Sequence, residues 1–205
     1  MVKIYFHMPW DENGDIGKSM NEHLLNMHWT KHNDWIAFYD YDCMFTTKDW
    51  YKQMVHVIEN NPKCKGITAR INRMATQEMM IAGVDPFNFD YSYHRRVGQH
   101  LAKKHFGKSS TISTPGHFSG TFFAVHIKTI KDLGGFPETG GIMGHDQLIH
   151  KMIVEAGHEW RVCDGVYIFH WYKADEPYEH SKSVIKNLED YHLNQLKLTK
   201  EVKHA

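Results

Sequence analysis

Residues 36–45 read IAFYDYDCMF. Four residues with apolar bodies, Ile36 to Tyr39, give way to Asp40 and Asp42 with one tyrosine between them. A short unbroken run of this kind predicts a strand buried on both faces, inside a sheet covered by helices. Carboxylates at the tip of such a strand lose hydration at a cost unless solvent, a cation or hydrogen-bond donors meet them. Two readings stand at this point. The aspartates begin a turn and cap the next helix, or they hold a cation. Side chains two apart on an extended chain point the same way, and hard carboxylate oxygens suit Mg2+ or Mn2+.

The flanking sequence supplies the fold. Residues 2–6 predict a strand, and a loop with Pro9, Asn13 and Gly14 follows. A helix over 17–29, with Leu24, Leu25 and His28 on one side, leads to a second strand at 34–39. That βαβ unit implies parallel strands joined by a right-handed crossover. Thr46-Thr47-Lys48-Asp49 has the pattern of a capping box. The helix after it has Trp50, Tyr51, Met54, Val55 and Ile58 on one stripe and stops near Asn61-Pro62. Further along, patterns predict a strand at 66–71, a helix at 90–105, a strand at 119–126 and helices at 127–133 and 145–156. The last of these has Leu148, Ile149, Met152 and Ile153 turned inward. One or two strands fall within 160–169, around Asp164-Gly165, and an amphipathic helix over 181–200. The alternation predicts an α/β domain with a mainly parallel sheet. Ligands of such sheets collect beyond the carboxyl ends of the strands, where Asp40 and Asp42 stand.

The bulk composition narrows the setting. A chain of 205 residues with 41% apolar content suits one domain with a real core. No stretch approaches the roughly 18–20 apolar residues of a membrane span, and the first residues lack the apolar centre of a signal peptide. Cys43, Cys64 and Cys163 lie far apart without a CxxC pair. That disfavours a disulfide framework or a zinc knuckle and fits a reducing cytoplasm. Lys plus Arg and Asp plus Glu both total 24, so bulk charge offers no attraction to a polyanion.

Three other stretches carry chemistry. Gly14, Gly17 and Lys18 precede a helix, where free N–H groups and a lysine suit an anion; a solvated helix residue is the plainer reading of Lys18. Asp146 opens a helix after a glycine-rich loop at 134–144, either as an N-cap or as a base. The glycines of that loop predict a lid that moves. His170 ends a strand, either as a satisfied core histidine or as a metal ligand.

Taken in order, these stretches resemble the GT-A fold glycosyltransferases, particularly family 2 and its small bacterial and phage members. The carriers are Gly14, Gly17 and Asn21, then DYD at 40–42, then Asp49-Trp50-Tyr51. Next come INR at 71–73, SGTFFAVHIKTIKDLGGFPE at 119–138, GHDQLIHKMIVEAG at 144–157 and GVYIFHWYK at 165–173. The resemblance covers most of the chain except 74–115 and the residues after 173. It implies a Rossmann-like GT-A sheet flanked by helices, shortened in its N-terminal nucleotide-binding half. One domain would span 1–205, with a donor and metal half at 1–73, an acceptor half at 74–173 and a helical tail at 174–205.

The resemblance also implies roles. Asp42 and His170 would bind Mn2+ or Mg2+, and Asp40 would bind it through water or hold the donor ribose. Asp146 would take the proton of the acceptor hydroxyl while a sugar leaves its nucleoside diphosphate with inversion. Pro9, Trp10, Lys18 and Arg73 would contact the nucleotide-diphosphate sugar. The acceptor would be a glycan, a lipid-linked sugar, a protein or a modified nucleic-acid base. Two departures stand out. A single βα unit precedes Asp-x-Asp, leaving Asp11 or Asp15 to read the base, and His145 replaces the acidic residue usual before the base. A nucleotidyltransferase-like enzyme and a non-catalytic sugar- or nucleotide-binding module are the competing functions.

Overall fold

In chain order the described residues form β1 (Ile4–His7), α1 (Ile16–Leu25), β2 (Trp35–Tyr39), β3 (Cys43–Phe45), α2 (Trp50–Asn60), β4 (Cys64–Ile71), α3 (Tyr91–His105), β5 (Ser109–Ile112), β6 (Phe122–His126), α4 (Ile127–Asp132), α5 (His145–Glu155) and β7 (Glu159–His170). These elements come from a computed structural model that describes residues 2–171, apart from 32, 74, 75, 77, 87, 115–117, 142 and 143. The expected helix over 181–200 and the tail at 174–205 lie outside the described residues. No described helix is long and apolar enough to cross a membrane.

The strands make one sheet in the order β1-β2-β6-β4-β7-β3, with β5 also paired to β7. β1 runs parallel to β2 and β4 runs parallel to β7. β6 lies antiparallel to both β2 and β4, so β1, β2, β4 and β7 share a direction and β6 is set among them reversed. β3 and β5 run against β7. The fold is therefore α/β with a mixed sheet, where the sequence predicts a mainly parallel one. A strand buried on both faces shows the same apolar run whichever way it points, so residues 122–126 carry no signal of direction. Residues 1–73 supply β1 to β4 and the remainder β5 to β7, interleaved in the one sheet.

Burial of β2 on both faces holds as expected. Ile36 and Phe38, with Phe123 and Val125 of β6, pack against Met20 and Leu24 of α1 and Ile149 and Ile153 of α5. Trp35 and Ala37, with Phe122 and Ala124, pack against Met54, Val57 and Ile58 of α2 on the other face. The period-two alternation of a strand thus feeds two cores at once.

Several local expectations change. α1 stops at Leu25, whose side chain is exposed while Leu24 is buried. Leu148 of α5 likewise faces outward. The capping box does not form: the Thr46 hydroxyl donates to the Tyr167 carbonyl at 2.7 Å, and Asp49 makes no capping hydrogen bond. β3 explains this, because its pairing with β7 carries Thr46 into the sheet. β3 is only three residues long and β5 is short and polar, so neither stands out in sequence.

The glycine-rich loop is anchored in its first half rather than loose. Asn21 of α1 donates to the Phe136 carbonyl at 2.9 Å and to Glu138 Oε1 at 2.8 Å, and accepts from the Phe136 amide at 2.7 Å. A Cβ on Gly17 would lie 2.0 Å from the Pro137 carbonyl oxygen, so only glycine admits the loop this close to α1. The Gly140 amide donates to Asp15 at 3.2 Å. Asn21→Ala removes three hydrogen bonds and leaves an amide and a carbonyl of Phe136 without that partner. Urea unfolding should show a loss of about 1–3 kcal/mol; an unchanged midpoint would mean the loop is held by packing alone.

Candidate metal centre and base

The carboxyl ends of β1, β2, β4 and β7 and the amino end of β6 meet along one edge of the sheet. Asp40 leaves β2 there, and its backbone amide donates to the Thr121 carbonyl at 3.0 Å. A tight turn, closed by the Cys43 amide on the Asp40 carbonyl at 3.2 Å, returns the chain into β3. Asp42 and Cys43 are thereby laid beside the end of β7.

His170 is the last residue of β7 and is buried. Its backbone is gripped by Asn72, just past the end of β4: the His170 amide donates to Asn72 Oδ1 at 2.8 Å, and Asn72 Nδ2 donates to the His170 carbonyl at 3.2 Å. The imidazole lies with Nδ1 3.4 Å from Thr121 Oγ1. Its Nε2 is 3.2 Å from Asp42 Oδ1 and 3.7 Å from Asp40 Oδ2.

The donor set fits a divalent cation. Asp40, Asp42, Cys43 and His170 each offer one ligand atom, all within 4.8 Å of one another. Ligands bonded at ~2.1 Å around a four-coordinate ion lie about 3.4 Å apart, and the two His170 distances, 3.2 and 3.7 Å, fall either side of that. The pair of carboxylates expected from Asp-x-Asp and the distant histidine are thus brought together.

The electrostatics separate the two aspartates. Asp40 is pushed up to about 6. The largest cause is partial loss of water around its carboxyl, although the side chain itself stands half exposed; His170 opposes the rise, and the charges of Asp42 and Asp146 add to it. Burial alone would raise Asp42 as well. The hydrogen bond and charge of His170, a backbone amide and the Arg73 guanidinium outweigh it and hold this carboxyl below its ordinary range. Repulsion between neighbouring carboxylates is what a bound cation would relieve.

Asp146 lies in the first turn of α5, behind Gly144 at the N-cap. Its Oδ2 accepts from the Gly120 amide and its Oδ1 from the Gln147 amide, both at 2.8 Å. A Cβ on Gly120 would sit 2.9 Å from the Asp146 Cβ, so the glycine of SGT admits α5 to the sheet edge. Asp146 is therefore held by an amide of the turn before β6 as well as by its own helix.

The other expected residues divide. The Arg73 guanidinium lies over the Phe89 ring, 4.9 Å from its centroid, and donates to the Trp171 carbonyl at the edge of the cluster. Pro9, Trp10 and Lys18 stand on the loop and first turn after β1, where their contacts run to that loop: the Trp10 amide donates to Ser19 Oγ at 2.9 Å, and Lys18 Nζ is 3.5 Å from Asp11 Oδ2. Asp11 accepts from the amides of Asn13 and Asp15, and Asp15 caps α1 through the Lys18 amide. Both carboxylates offered for reading a base therefore hold the loop together. Asn72, Gly120, Thr121 and Cys43 were not singled out as site residues. Asn72 directly follows β4 and Thr121 directly precedes β6, with Gly120 beside it, so nearness to an apolar strand end is the signal that would have found these three; Cys43 opens β3, which has no such signal.

Removing the Asp40 carboxylate tests what its charge costs the fold, through lost hydration first and crowding second. An acid whose pKa rises on folding is destabilising in its charged form, so its cost is absent below 3.8 and complete above about 6. In protein stripped of metal with chelator, Asp40→Asn should melt with wild type near the lower limit and above it at neutral pH. Equal melting temperatures across the whole range would mean that the Asp40 charge costs the fold nothing. Comparison with protein-family models finds no match for this chain, and neither does comparison with curated proteins, so function has to be read from the side chains gathered at this edge.

Proposed function

We propose that the protein is a metal-dependent glycosyltransferase of GT-A type that moves a sugar from a nucleoside-diphosphate sugar to a hydroxyl acceptor, with inversion. The observation that carries the reading is the meeting of Asp40, Asp42 and His170 at the carboxyl ends of β2 and β7, with Asp146 close enough to raise the pKa of Asp40. In open α/β sheets that edge is where ligands bind, and four parallel-directed strands with one reversed among them agree with the proposed fold.

Asp42 and His170 would hold Mn2+ or Mg2+, with Asp40 completing the site or turning to the donor ribose. The cation supplies positive charge where the departing diphosphate gains negative charge, which favours the transition state over the ground state. Asp146 takes the proton from the acceptor hydroxyl. The freed oxygen forms its bond to the anomeric carbon as the bond to the diphosphate oxygen breaks on the opposite side. The amides of Gly120 and Gln147 fix the carboxylate's direction, and each oxygen retains a lone pair for the acceptor. Arg73 adds a cation beside Asp42, and Trp10, three-quarters exposed, offers an open indole beyond β1. We assign donor contacts to these two, with Pro9 and Lys18 shaping the loop that carries Trp10.

Asp42→Ala should abolish Mn2+-dependent binding of nucleotide sugars in a thermal-shift panel while leaving the fold intact. Asp146→Asn should keep donor binding and lower turnover by roughly 10²- to 10⁴-fold. Near-normal turnover in Asp146→Asn would leave Asp146 a helix residue only. Donor binding without hydrolysis or transfer in wild type would point to a binding module, and release of pyrophosphate to nucleotidyl transfer.

A further inference from the structure

We propose that Cys43 is a direct ligand in the centre formed by Asp40, Asp42 and His170, so that the site takes Zn2+ or Co2+ in preference to Mg2+. This rests on the cation reading given above and concerns which ion is held.

Cys43 stands opposite His170 in the antiparallel pairing of β3 with β7. Residues directly opposite in such a pair project to the same face of the sheet, with Cβ atoms about 4.5–5.5 Å apart. The register therefore aims the thiol and the imidazole at one point, and a shift of one residue would send the thiol to the other face. The Asp40 turn then lays both carboxylates over that point, and the four donor atoms lie within 4.8 Å of one another. Sγ is 3.7 Å from the Thr121 carbonyl, a weak thiol hydrogen bond that a bound ion would replace.

The donor chemistry decides the ion. Two carboxylates alone suit hard Mg2+, which keeps oxygen ligands and much of its water. A thiolate and an imidazole shift preference toward Zn2+ and Co2+, and Cys43, His170 and Asp42 as three ligands of a tetrahedral centre leave its fourth position to the diphosphate, with Asp40 turned to the donor ribose. On binding, the Cys43 thiol gives its proton to solvent and the thiolate donates an electron pair to the ion, so affinity rises with pH. Cys64 and Cys163 are buried in the core beside α2 and take no part.

Titration of the chelator-stripped full chain with Co2+ tests this without any activity assay. Wild type should develop visible d–d bands of a low-symmetry site and a near-ultraviolet sulfur-to-cobalt charge-transfer band. Cys43→Ser and Cys43→Ala should lose the charge-transfer band. Competition should show Zn2+ weakened at least by the ~10- to 100-fold that even an outer-shell partner is worth, with Mg2+ affinity little changed. Circular dichroism checks that the variants fold, and the wild-type spectrum decides alone if they do not. Visible bands without the charge-transfer band overturn thiolate ligation and leave the cation site standing. No cobalt spectrum at all in wild type overturns the cation reading beneath it.

Discussion

The pairing of β7 with β4 decides where His170 falls and, through β3, where Asp42 and Cys43 meet it. β7 is twelve residues long and runs beside β4 in two stretches, with the register shifting between Ala69 and Arg70. Asp164, Gly165 and Val166 form the bulge between the stretches. Such an insertion needs its polar groups met. The Asp164 carboxylate accepts from Arg70 and from Ser110 Oγ, and the Gly165 carbonyl accepts from Gln53 at 3.1 Å. A Cβ on Gly165 would lie 2.1 Å from Gln53 Oε1 and 2.7 Å from the His105 carbonyl, so a side chain there would push α2 and the end of α3 away. With the bulge absorbed, β7 changes partners on its outer edge. Its first half pairs with β5 and its second with β3, and the second pairing is what sets Cys43 opposite His170.

The same edge concentrates groups that a stable core would avoid. Asp40 and Asp42 crowd each other beside a buried histidine, and Asp146 adds a third carboxylate to the field around Asp40. The surrounding structure holds them there through backbone contacts. Asn72 grips His170, Thr121 takes the Asp40 amide, and Gly120 donates to Asp146. Repulsion of this kind is tolerated where function requires it and offset by packing elsewhere. Here the offset comes from two full cores, one on each face of the sheet.

Much of this was legible in the sequence, and the misses share one cause. Long apolar runs and amphipathic helices stood out because burial imposes period two or 3.6. β2, α2, α3 and α5 accordingly fall near their expected bounds. Asp40, Asp42 and His170 were legible as strand-end polar residues, and the structure brings them together. Direction and pairing were not legible. Nothing in FFAVH at 122–126 says that it runs backwards, and nothing in CMF at 43–45 says that it will meet β7. The glycines of the 134–144 loop suggested motion because glycine frees the backbone. Gly17 of α1 and Gly135 of the loop show another use, letting the two segments sit close: a Cβ on Gly135 would lie 2.7 Å from Asn21 Oδ1.

The reversed strand is also why one edge can hold both kinds of group. Parallel strands present their carbonyl ends together, which suits carboxylates carried beyond them but leaves few backbone donors to fix those carboxylates. β6 brings its amino end to that edge. The Gly120 amide then points at Asp146, and the Thr121 carbonyl receives the Asp40 amide. A fifth parallel strand in the same place would deliver its last residues instead, and both bonds would lose their partners. The antiparallel insertion thus links Asp146 to Asp40, the proposed base to a proposed metal ligand, through two consecutive residues, Gly120 and Thr121.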